Sequence, residues 1–127
     1  MDSDQQRVRL RSVVLDCIEP RSLASFYADL LGGQVVVGVQ WCEVRVPHLP
    51  LKLAFQRVAS YQAPALSDIP QQMHLDLTVD DLDAACQRAT DLGAARLHTP
   101  VKEPGCVFIV HLDPAGHPFC LCQDTST

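Results

Sequence analysis

Ser12-Val-Val-Leu-Asp-Cys-Ile18-Glu19-Pro20 reads as an apolar strand, an acidic stop and a proline suited to the first turn of a helix. The same order returns 62 residues later as His74-Leu-Asp-Leu-Thr-Val-Asp80-Asp81-Leu82. After the first stretch, Leu23, Phe26, Tyr27, Leu30 and Leu31 recur at helical spacing before Gly32-Gly33. After the second, Leu82, Ala85, Cys86 and Ala89 do so before Leu92-Gly93, with Asp80 as the expected N-cap and Asp83 near the first-turn amides. Two copies of one unit in a short chain imply paired modules with a cleft between them.

Outward from these stretches the pattern changes to strands: Gln34 to Val37, Gln40 to Val46 and Leu51 to Val58 after the first helix, and Ala95 to His98, Cys106 to Leu112 and Phe119 to Cys122 after the second. Each half is therefore strand, helix, then three strands. The fold class is α+β: paired βαβββ modules forming a half-open β-barrel with a concave cleft. One domain is expected over residues 8–123, with modules at 8–58 and 72–123 and a connection at 59–71 that carries Pro64 and Pro70 and could lie over the cleft as a lid. Asp113-Pro114-Ala115-Gly116 has Pro and Gly where a type I turn takes them.

At 127 residues and 47% hydrophobic content, one ordinary core is attainable without disulfide staples. The six cysteines (Cys17, Cys42, Cys86, Cys106, Cys120, Cys122) show no C-x-x-C pair and no zinc-finger spacing, and with no signal peptide a reduced cytoplasmic setting follows. Most of these thiols stand where a small hydrophobe would serve. No apolar run reaches the length of a membrane span. Lys and Arg number 10 against 15 Asp and Glu, a net charge of -5 that argues against nucleic acid as a partner.

Strand alternation sorts side chains onto two faces. Val13, Leu15 and Cys17; Cys42, Val44 and Val46; Leu51, Leu53 and Phe55; and Met73, Leu75, Leu77 and Val79 form the side that packs on the helices. The opposite face carries Ser12, Val14 and Asp16; Trp41, Glu43 and Arg45; Lys52, Ala54 and Gln56; Gln72, His74, Asp76 and Thr78; and Cys120 and Cys122. Solvation alone explains any one polar residue on an antiparallel sheet. As a set they line a shared concavity with an aromatic wall at Trp41, the kind of surface that takes small ligands. His117 is read as bonding its own turn, and His48, His98 and His111 as ordinary surface or satisfied histidines.

Glu19-Pro20 through Gly32, Pro70-Gln-Gln-Met-His74-Leu-Asp76, Leu92-Gly93-Ala94 and Asp113-Pro-Ala-Gly-His117-Pro-Phe-Cys-Leu121 resemble the vicinal oxygen chelate superfamily, which includes glyoxalase I, extradiol dioxygenases and bleomycin-resistance proteins. The nearest likeness is to its small glyoxalase-like subgroup. The resemblance implies a cleft holding a divalent metal ion through ligands from the first and last strands of each module. Carried over, those positions are Ser12, Ala54 or Gln56, His74 and Cys120, of which only His74 is a good ligand. The expected function is therefore binding of a small oxygenated organic molecule without a complete metal site, with Trp41 stacking on it and Ser12, Glu43, Arg45, Gln56, Asp76 and Cys120 around it. The other reading is a metal-assisted lyase, isomerase or dioxygenase with His74 as general base or metal ligand. A homodimer is implied as well.

Overall fold

The computed structural model describes residues 10–63 and 73–125. In the first module β1 (Ser12–Cys17) leads into α1 (Pro20–Leu31), followed by β2 (Gln34–Val37), β3 (Trp41–Arg45) and β4 (Lys52–Arg57). Pro20 occupies the first turn of α1, where its missing N–H costs nothing, and Gly32 closes the helix at φ 74°, donating its N–H to the Ala28 carbonyl. The sheet order is β1-β4-β3-β2, with β1 parallel to β4 and the other pairs antiparallel.

The second module runs β5 (Leu75–Thr78), α2 (Leu82–Asp91), β6 (Ala95–Arg96), β7 (Val101–Glu103), β8 (Cys106–Leu112) and β9 (Pro118–Asp124). Its order is β5-β9-β8-β6, and β7 also pairs with β8. The module thus departs from the expected βαβββ: one strand along β8 is split in two around Pro100, which has no N–H to give to a ladder. At the break the His98 side chain takes a backbone role, its Nε2 accepting the Val110 N–H at 3.0 Å. The two sheets are separate, and no closed barrel forms among the described residues.

The core lies between the helices and the sheets. Leu23, Phe26 and Tyr27 of α1 meet Cys42, Val44, Leu53 and Phe55, and α2 adds Leu82, Cys86 and Ala89. Phe26 and Tyr27 also pack on Phe119, with ring centroids 6.0 and 6.3 Å apart, so α1 seals both modules. The assigned faces hold at Cys17, Cys42, Val44, Leu53 and Phe55, all buried. Leu15, Leu75 and Leu77, expected among the least accessible residues, pack on the core but are only partly buried, because β1 and β5 are edge strands.

Three expectations are corrected. Met73 is 80% exposed, since it precedes β5 and has no ladder to hold it toward the core. Asp81, not Asp80, caps α2: its extended backbone directly precedes Leu82, and its side chain accepts the Ala84 N–H at 3.1 Å. Gln40 turns with φ 54° instead of beginning β3. Residues 64–72, which include Pro64, Pro70, Gln72 and the lid assignment, lie outside the described residues. No helix among the described residues is long and apolar enough to cross a membrane.

Candidate functional site

The concave face is built from cross-strand rows. On the first sheet Trp41 stands beside Gln56 and Gln56 beside Asp16, while Val36, Glu43, Ala54 and Val14 form the next row. Ser12 sits opposite Lys52. Glu43 organises this patch: its Oε2 lies 3.6 Å from Arg45 Nη2 and 3.7 Å from Lys52 Nζ, and its Oε1 accepts the Trp41 indole N–H at 3.4 Å. Trp41, Glu43, Arg45, Gln56 and Lys52 therefore come together as the sequence indicated, an aromatic plane beside two cations that share one carboxylate. Glu43 Oε2 is itself buried between the two cations, with no hydrogen bond to it among the described residues.

On the second sheet, alternation places His74 and Asp76 on one side, and Asp76 stands opposite Cys120. His74 Nε2 is 3.2 Å from Asp76 Oδ1, and the donor atoms of His74, Asp76 and Cys120 all lie within 4.8 Å of one another. Burial first, and the bond with Asp76 second, push the Cys120 thiol up to about 12, so it stands as a neutral S–H donor to that carboxylate. No hydrogen bond joins Ser12 or Gln56 to His74 among the described residues. Beyond Cys120 and Cys122 this face continues into Val110, Phe108 and Leu112, an apolar wall that a reading of β5 alone does not show.

A cavity of about 350 Å³ opens beside β1, lined by Val14, Leu15, Asp16, Val58, Tyr61 and His117. Its far wall is fixed by hydrogen bonds. Asp113, buried, accepts the Tyr27 hydroxyl at 2.6 Å and the backbone N–H groups of Ala115 and His117, and His117 Nδ1 lies 2.8 Å from its Oδ2. Tyr61 donates to the Ala115 carbonyl at 2.6 Å and lies 3.1 Å from His117 Nε2. Burial, with Asp113 next, raises Tyr61 to about 12, so it is a phenol at neutral pH. Asp113 to His117 reads in sequence as a turn, and it is one, but Tyr61 in the connecting segment carried no signal that it would close this wall.

A family model described as "Glyoxalase-like domain" matches residues 12–122, almost the whole of both modules. The chain belongs to the glyoxalase-like domain family. Within the vicinal oxygen chelate superfamily, this glyoxalase-like chain shares its fold with a glyoxalase/bleomycin resistance protein/dioxygenase family enzyme from Burkholderia phytofirmans PsJN, at 18% identity and TM-score 0.75 over 93% of this chain and 100% of that one. A superfamily member from Sphaerobacter thermophilus aligns at 20% identity and TM-score 0.69 over 93% and 98% of the two chains. A glyoxalase/bleomycin resistance protein/dioxygenase from Nocardioides aligns at 16% identity and TM-score 0.68 over 98% and 88%. No curated protein matches the sequence.

The residues present do not fit a metal sphere shared between the modules. Ala54, at one of the implied positions, is a methyl group with 0% exposure in mid-sheet, and Ser12 offers only a hydroxyl. The donors that do meet, His74, Asp76 and Cys120, all belong to the second module.

Proposed function

We propose that this glyoxalase-like protein binds a small oxygenated organic molecule on the concave face, without the metal sphere of its metal-using relatives. The observation that carries the reading is the Trp41–Glu43–Arg45–Lys52 patch: an aromatic plane next to two cations held by one carboxylate is suited to a ring or chain bearing hydroxyl or carboxylate oxygens. Gln56 and Asp16 extend it toward the cavity. Trp41 is the only tryptophan. Its fluorescence, followed in chelator-treated protein against a panel of hydroxy acids, diols and phenols, tests the proposal: saturable quenching supports it, and silence across the panel speaks against it.

A second reading is favoured by a specific observation, the meeting of nitrogen, oxygen and sulfur donors at His74, Asp76 and Cys120. This set suits a zinc-type cation with an open position, which would supply a Lewis acid to an oxygenated substrate. Cobalt(II) titration distinguishes it: a sulfur-to-cobalt absorption band that Cys120→Ser removes is the expected sign, and its absence argues for the metal-free reading.

We also propose a homodimer in a reducing, cytoplasmic setting. Exposed strand edges at β2 and β5 support the first, and six cysteines without a disulfide the second.

A further inference from the structure

Three consecutive residues of β1, Val14, Leu15 and Asp16, line the same cavity. Side chains on a strand alternate between faces, so the cavity runs along the edge of β1 and not over one face. β1 is the end strand of its sheet. On its paired side, the Lys52 N–H donates to the Arg11 carbonyl at 3.3 Å and the Val58 N–H to the Cys17 carbonyl at 2.8 Å. In a parallel ladder both backbone groups of such a residue turn toward the partner strand, and those of the residues between turn away. The N–H and C=O groups of Val14 and Asp16 therefore face the outer edge, and among the described residues neither has a hydrogen-bond partner there.

We infer that this edge is a recognition site for an amide, and that the molecule it takes is a small peptide-like compound lying in the cavity as one further short strand. The inference rests on the reading of this protein as a small-molecule binder and names the class of ligand. Two residues along a strand span roughly 6.6 Å, so Val14 and Asp16 present paired donors and acceptors at the spacing of alternate residues of an extended chain. Val14 and Val58 give an apolar flank. The Asp16 carboxylate at the end of the row favours an ammonium or hydroxyl group. The size fits this class: about 350 Å³ lies at the small end of ligand cavities, enough for about two residues and too little for a long segment. The opposite wall is held in place, because Tyr61 is bonded to Ala115 and a Cβ on Gly116 would come within 2.6 Å of Ala63.

Nitrogen-15 NMR of the full chain tests this with N-acetyl-L-valine N′-methylamide and with the analogue in which every amide N–H is methylated. The Val14 and Asp16 amide signals should move on one binding curve with the first probe, and the methylated analogue should bind about tenfold more weakly, the loss of an edge hydrogen bond. Equal affinity for the two probes would overturn the inference, as would no response at Val14 and Asp16. Shifts confined to Trp41, Arg45 and Gln56 would remove it while leaving the cleft reading intact. Slow hydrogen exchange of Val14 and Asp16 in the free protein would overturn it too, by showing that another strand already covers the edge.

Discussion

His74 and His111 show how far one residue type can diverge in one module. His74 stands before β5 with its side chain 42% exposed, beside Asp76, and removes no apolar volume when truncated. His74→Ala should therefore abolish metal or cleft-ligand binding while changing stability by no more than about 1–2 kcal/mol in denaturant unfolding; intact binding with a large stability loss would make it a structural residue. His111 is the reverse, and it is neither of the two things expected of it, an ordinary surface histidine or a satisfied one. It is 0% exposed, stacked on Phe119 at 5.4 Å, bonded through Nδ1 to the Ile109 carbonyl, and its Nε2 has no partner among the described residues. Burial lowers its pKa below the usual 6.5, assisted by Arg96 and His98 and partly opposed by the Ile109 carbonyl. The folded chain then binds this proton less readily than the unfolded chain, so the contribution of neutral His111 is full above pH 6.5 and is lost as pH falls below it. Stability measured against pH should decline less steeply on the acid side in His111→Leu; an unchanged slope would assign the acid sensitivity elsewhere.

At the scale of elements, the junction between the connecting segment and the β8–β9 turn is the tightest fit. Gly116 adopts φ 87° and closes the turn by donating its N–H to the Asp113 carbonyl at 2.8 Å. Gly116→Ala meets both an unfavourable backbone region and Ala63, and should cost about 1–3 kcal/mol. Ala63→Gly in the same chain should recover only the steric part, and complete recovery would show that the backbone bears no strain. The helices, the module repeat and the face assignments of β3 and β4 were legible because period and punctuation are local signals: Pro20, Gly32 and the alternation from Cys42 to Phe55 each act within a few residues. The split of β6 from β7 was not, since it depends on His98 standing in for a backbone acceptor across the sheet. Asp81 and Asp80 offer the same chemistry one residue apart, and only the packing of Leu82 chooses between them. The cleft patch around Glu43 was readable from alternation alone, whereas Tyr61, the cavity and the β1 edge are products of long-range packing.

Across the whole molecule, two modules share one aromatic core through α1, and among the described residues their sheets end at β1, β2, β5 and β6. Pairing through such an edge would protect it, and sedimentation at micromolar concentration should give a dimer mass; a single species of monomer mass would rule that out. The likeness to solved superfamily members establishes the architecture, and the function follows from what this chain has placed on it: a charged aromatic patch on the first sheet and a donor set limited to the second. The most direct test is a calorimetric titration of the whole panel of hydroxy acids, diols and phenols, run on protein held in excess chelator. Saturable binding with one site per chain, unchanged when the chelator is replaced by zinc, is the predicted result. Binding that appears only once zinc is restored would contradict it.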